Sequence, residues 1–169
     1  MIIYVTGGVR SGKSRFAMDL ALQKSANPVY VATSRIWDED FAKRVKRHQD
    51  ERGPEWTSLE SERDIHLLPL AGSVAVIDCV TLWLTNLFFA LEYDVEKSLA
   101  AFKGEIDALA QIDATLIIIS NEIGMGVHAE TDAGRKFTDL QGWANQYVAA
   151  AAQEAIMMVS GLPLTLKST

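Results

Sequence analysis

The chain has 169 residues, 49% of them hydrophobic and 22% charged, with a formal net charge of -6. That length is enough for one domain, 1–169, with a real core; the composition excludes a disordered chain, and the acidic balance argues against nonspecific nucleic-acid binding. The single cysteine, Cys79, excludes an intrachain disulfide framework. With no signal-like leader and no apolar run near the ~20 residues of a membrane span, a reducing cytoplasm is the expected compartment.

Short apolar runs alternate with helical patterns, without a repeat or a linker. IIYV predicts a buried strand over 2–5, and a helix follows over 13–24, with Phe16, Ala17, Leu20 and Ala21 on one face. PVYVAT predicts a strand over 28–33. A helix is expected over 38–52, with Asp38 as its candidate N-cap. EWTSLE, over 55–60, reads as a weaker edge strand, and SVAVID, over 73–78, as a strong buried one. Helices are expected over 82–92 and 95–112. TLIIIS, over 115–120, is the most apolar β-branched run in the chain. A helix is expected over 131–152, centred on Trp143, Tyr147 and Ala151, and AIMMVSG with LPLTLK reads as a closing hairpin.

Continuous apolar strands separated by helices predict an α/β fold with a mostly parallel sheet covered on both faces. Ligands bind such sheets at the carboxyl ends of the strands. After the first strand stands TGGVRSGKS, in which Gly7, Gly12, Lys13 and Ser14 fit GxxxxGK[ST]. Glycines let the backbone wrap phosphates so that successive N–H groups point inward, and the next helix adds its N-terminal dipole. Lys13 would meet the terminal phosphates, and the Ser14 hydroxyl a Mg²⁺ ion. The strand–motif–helix order is the context that this motif requires, so a P-loop NTPase fold of RecA-like type, binding a nucleoside triphosphate, is expected. Arg10 and Arg15 add nearby charge, or else are solvated surface arginines. Asp78 ends the strand VAVID, where a Mg²⁺-linked carboxylate belongs. The competing reading is that it caps the helix that follows.

The stretch RVKRHQDERG is nearly all charged. On a helix, Phe41, Val45, His48 and Arg52 fall on one face, inward, while Lys43, Lys46 and Asp50 face water. His48 is then either a satisfied inward histidine or one that reaches the phosphates. His66 and His128 have weaker cases, the first at a loop or helix end, the second after a glycine-rich loop.

Several of these stretches together carry a resemblance. TGGVRSGKSRFA, YVATS, RVKRHQDER, WTSLE, DCVTLWLTNLFF, NEIGMGV, FTDLQGWANQ and AAAAQEAIMMVSGLPLTLK run in order over essentially the whole chain. The sequence resembles the bifunctional adenosylcobinamide kinase/adenosylcobinamide-phosphate guanylyltransferases of cobalamin biosynthesis. The resemblance implies two reactions. ATP or GTP phosphorylates the aminopropanol hydroxyl of adenosylcobinamide. GMP then passes from GTP to that phosphate through a guanylylated histidine, giving adenosyl-GDP-cobinamide and pyrophosphate. His48 matches the family's histidine, which makes it the expected nucleophile.

The resemblance also places guanine-nucleotide contacts on Gly7, Gly8, Val9, Arg10, Ser11, Gly12, Lys13 and Ser14, on Ala32, Thr33 and Ser34, on Gln49, Asp50, Glu51 and Arg52, and on the acids Glu60 and Asp78. Ser14 and Asp78 are the expected Mg²⁺ ligands. Some members carry Glu where Asp78 stands, and many carry a basic residue in place of Thr138. Glu122, in NEIGMGV, is either a participant in kinase chemistry or an acid that holds loop amides.

Two other readings stand beside this one. A P-loop kinase of another alcohol would leave His48 structural. A nucleotide switch would carry a guanine-reading NKxD element, which this chain lacks. The apolar residues Trp83, Leu84, Leu87, Phe88 and Leu91 form two adjoining faces, which belong either to the core or to a subunit interface. The resemblance, whose members are homotrimers, favours the interface.

Overall fold

The computed structural model describes residues 1–34 and 52–168. The expected helix over 38–52, with Asp38, His48, Gln49, Asp50 and Glu51, lies outside the described residues apart from Arg52. The described strands are β1 (Ile2–Gly7), β2 (Val29–Ala32), β3 (Thr57–Glu60), β4 (Val74–Asp78), β5 (Thr115–Ile119), β6 (Glu154–Val159) and β7 (Leu162–Lys167). The helices are α1 (Lys13–Lys24), α2 (Val80–Ala90), α3 (Val95–Ala110) and α4 (Asp132–Ala151), with a 3₁₀ turn at Ile65–Leu67.

The strands form one sheet in the order β3-β2-β4-β5-β1-β6-β7. Every pairing is parallel except that of β6 with β7, so the mostly parallel α/β sheet and the closing hairpin are both as expected. β3 is the predicted edge strand. β1 lies between β5 and β6, with Tyr4 level with Ile118 on one side and Ala155 on the other.

Side chains alternate across the sheet, as the two-residue period of a strand requires. From β1, Ile3 and Val5 join Ala17 and Ala21 of α1 in one apolar cluster. Ile2 and Tyr4 join α2, α3 and α4 on the opposite face, with Trp83 and Phe102 edge to face at 4.9 Å between ring centroids. Trp83, Leu84, Leu87 and Phe88 are thus all buried in the chain's own core, and the suggestion that they form a subunit interface is corrected. The buried stripe of α4 does not follow the Trp143, Tyr147 and Ala151 row on which the expected helix is centred. It runs through Leu140, Gln141, Ala144, Asn145 and Val148, whereas Trp143 is 48% exposed. The inward face of α4 carries two amides, Gln141 and Asn145, which find partners inside.

Candidate functional site

The phosphate loop is shaped by its neighbours as much as by its own glycines. Gly7 has φ 151°, and a Cβ there would meet the Met158 carbonyl oxygen of β6 at 2.5 Å. Gly12, at φ 95°, would place a Cβ 3.3 Å from the Gly161 Cα in the β6–β7 turn. Gly161 N–H donates to the Ser11 carbonyl at 3.0 Å, so the C-terminal hairpin braces the loop. Gly12 is also the N-cap of α1, and no side chain caps that end. The first amides of α1 are therefore left for an anion.

Lys13 is nearly buried, and its Nζ donates to the Gly8 carbonyl at 2.6 Å. Burial lowers its pKa from the ordinary 10.5, against the opposing pull of Cys79 and Asp78. Ser14 Oγ donates to Asp78 Oδ2 at 3.2 Å, and the Tyr30 hydroxyl donates to the same oxygen at 2.6 Å. The Ser11 hydroxyl is buried without a partner among the described residues, a spare donor inside the loop. These groups surround a cavity of about 380 Å³ lined by residues 9–15, Asp78, Ile119 and Asn121. The Arg15 side chain is exposed, 3.8 Å from Asp19, as a solvated arginine would be.

Strand register sets the second half of the site. Ala32 is level with Glu60 on β3 and with Asp78 on β4, so these three positions form a row across the carboxyl ends of β3, β2 and β4. Neighbouring strands are about 4.8 Å apart, which puts Glu60 about 10 Å from Asp78 along the row. Asp78 does not cap α2; the N-cap is Cys79, which uses no side-chain bond. Ser34 follows the row and is half-buried.

Thr33 is wholly engaged inside the protein. It is 0% exposed, and its hydroxyl donates to the Cys79 carbonyl and accepts from Cys79 N–H, both at 2.8 Å. Its amide donates to the Asp78 carbonyl, and the Thr33 carbonyl accepts from Asn86 Nδ2. It therefore clasps β2 to β4 directly behind the acid. Cys79, fully buried, has its thiol pushed up to about 12 by burial and then by Asp78, so it is no nucleophile.

Two features were not anticipated from sequence. Tyr30 was read only as part of an apolar strand, yet its hydroxyl reaches Asp78 and its ring lies under Arg52, whose guanidinium carbon is 3.9 Å from the ring centroid. The signal available was a tyrosine in an otherwise aliphatic buried strand, since a buried phenol needs a partner. The second is a buried network behind Asn121. Ser120 Oγ donates to Asn145 Oδ1 at 2.6 Å, Gln141 Nε2 donates to both, and Asn145 Nδ2 donates to the Asn121 carbonyl. Glu122 Oε1 accepts from Gly124 N–H at 2.6 Å, so this acid holds its own loop. Thr138 Oγ1 donates back to the Gly134 carbonyl, one turn earlier on α4.

Neither of the other two histidines lines that cavity at the phosphate loop. His66 Nδ1 lies 3.3 Å from Glu105, a nearly buried acid that also accepts from the Asp64 and Ile65 amides at the start of the 3₁₀ turn. His128 is exposed.

Comparison with known proteins agrees with this layout. A model of the family described as cobinamide kinase / cobinamide phosphate guanyltransferase matches residues 3–166. The chain is 38% identical to a bifunctional adenosylcobalamin biosynthesis protein of Salmonella typhimurium strain LT2, over 99% of this chain and 100% of that one. It is 36% identical to the protein of the same description from Escherichia coli K12, with the same coverage. A third such protein, from Pseudomonas aeruginosa, is 32% identical over 96% of this chain and 95% of its own. Among solved structures, the flagellar accessory protein FlaH of Methanocaldococcus jannaschii aligns with 99% of this chain and 78% of its own at 17% identity, with a TM-score of 0.48, too distant to bear on function.

Proposed function

Since the chain belongs to the cobinamide kinase / cobinamide phosphate guanyltransferase family, we propose that it phosphorylates adenosylcobinamide with ATP or GTP, and then transfers GMP from GTP to the product through His48. The observation that carries this reading is the convergence of Lys13, Ser14 and Asp78 on one cavity at the carboxyl edge of the sheet. Residues 1–169 act as one nucleotide-binding domain in the cytoplasm. Among the described residues no helix is long and apolar enough to cross a membrane.

The nucleotide's phosphates lie in the loop formed by residues 7–14, on the free amides of α1. Lys13 exchanges the Gly8 carbonyl for a phosphate oxygen, and its charge offsets the negative charge that grows on the leaving group. Ser14 Oγ and Asp78 Oδ2 are hard oxygen donors 3.2 Å apart, which fits Mg²⁺, and these two residues would hold it. Bound there, Mg²⁺ supplies further positive charge against the phosphates.

In the kinase reaction the acceptor hydroxyl oxygen attacks the γ-phosphorus. The bond from that phosphorus to the β–γ bridging oxygen breaks, and the hydroxyl proton is released. In the second reaction a neutral imidazole nitrogen of His48 attacks the α-phosphorus of GTP, a P–N bond forms, and pyrophosphate leaves. A phosphate oxygen of the acceptor then attacks the same phosphorus. The P–N bond breaks, and the imidazole is restored. Ala32, Ser34, Arg52 and Glu60, along the row beside Asp78, hold the guanosine end, with Gln49, Asp50 and Glu51.

The test uses GTP labelled at the α or the γ position, on the wild type and His48→Ala. The α label is expected to stay on the wild type through denaturation, to be lost in acid and kept in alkali, and to be absent from His48→Ala. If neither label stays while nucleotide still binds, the transferase step through His48 is wrong and a kinase remains. We also propose a homotrimer; light scattering giving the mass of one chain, 18.6 kDa, would refute it.

A further inference from the structure

Among the described residues, the Tyr30 side chain touches both Asp78 and Arg52. Its hydroxyl donates to Asp78 Oδ2 at 2.6 Å, the oxygen that Ser14 also reaches. Its ring carries the Arg52 guanidinium at 3.9 Å on one side and meets Trp56 edge-on, 6.1 Å between centroids. Tyr30 is almost fully buried, in a strand paired on both sides. Arg52 Nε is itself buried and finds no hydrogen-bond partner among the described residues. A cation over an aromatic face is held more firmly the less water it sees.

We propose that Tyr30 is a positioning residue: its hydroxyl sets the Asp78 carboxylate against Ser14, and its ring sets Arg52 beside the same acid. The two duties sit on different parts of one side chain, so substitution separates them. Tyr30→Phe removes the bond to Asp78 and keeps the ring. Tyr30→Leu removes both. The consequence for turnover rests on the function proposed above; the geometry does not.

Two measurements test it. The first is NMR of the protein without ligand, following the Arg52 side-chain resonances. Ring current from Tyr30 is expected to shift the Arg52 δ and ε protons upfield in the wild type and in Tyr30→Phe, and not in Tyr30→Leu. The second is GTP affinity with and without Mg²⁺, together with the rate of phosphorylation. Groups that orient a metal's ligands typically contribute about 10- to 100-fold in affinity or activity. Tyr30→Phe is expected to keep the Mg²⁺-free GTP affinity and to lose about 10-fold of the gain that Mg²⁺ brings, with a similar fall in turnover. Wild-type Mg²⁺ dependence in Tyr30→Phe would overturn the role of the hydroxyl. An unshifted Arg52 in the wild type would overturn the role of the ring. Failure of the wild type to bind GTP at all would instead refute the function, while the NMR result still decides the geometry.

Discussion

The phosphate loop and the row of residues beside it reach the same edge of the sheet by different routes. The loop is a run of consecutive residues, from Gly7 at the end of β1 to Ser14 in the first turn of α1. The row takes one position each from β3, β2 and β4, levelled by strand register, with Tyr30 and Thr33 behind it. A contiguous loop survives as a sequence pattern because its chemistry depends on spacing along the chain. An assembled row leaves no such pattern, since its members need only end their strands at the same height.

The comparison predicts that damage to the loop is chemical and damage to the row is structural. Lys13→Ala should show the largest effect, a fall of about 10²- to 10³-fold in both transfers, as when one charge-stabilising donor is removed. Initial rates with each acceptor measure it; a loss confined to one transfer would show that the two reactions do not share the loop. Thr33→Val should lower stability by about 1–3 kcal/mol, because the buried Cys79 amide loses its partner and the Cys79 carbonyl keeps only the Trp83 amide. Urea unfolding gives this value. An unchanged midpoint with a raised KM for nucleotide would make Thr33 a ligand contact rather than a clasp.

Two smaller effects lie outside both regions and set the background. Thr131 Oγ1 accepts from Gly134 N–H at 3.0 Å as the N-cap of α4, so Thr131→Ala should cost about 1 kcal/mol in urea with transfer rates unaltered. Asp94 caps α3 and accepts from Lys97 N–H at 2.9 Å. That bond, then the Lys97 side chain, lower its pKa below 3.8. Its contribution is therefore complete above 3.8 and is lost as pH falls through the depressed folded value. A carboxyl NMR titration of Asp94 should find its midpoint below 3.8, and a midpoint at or above that value would refute the cap's charge.

How much of this could be read in advance follows the same division. The alternation of apolar strands with helices led directly to the parallel sheet, and the GxxxxGK[ST] spacing led to the loop, since each is a local pattern. The edge position of β3 was legible from its weaker apolar run. Thr33 stood in a nucleotide-contacting stretch by resemblance, and nothing local showed that its hydroxyl would be spent on Cys79. The inward face of α4 was not legible for a related reason. Gln141 and Asn145 look like surface residues in sequence, and only the approach of Ser120 and Asn121 from β5 makes them interior. Tyr30 was passed over because one phenol in an apolar strand reads as core until the acid on the next strand is placed beside it.

The position of β1 between β5 and β6, with the β6–β7 turn closing on Ser11, has a consequence for the order of assembly on the ribosome. The loop's residues are made before both strands that flank β1 and before the turn that braces the loop. At ordinary synthesis rates the interval is on the order of ten seconds. Until β5 is made the apolar run of β1 lacks both neighbours, and until β6 is made it still lacks one. Nucleotide in the cell can then stabilise the finished fold but cannot guide its first steps.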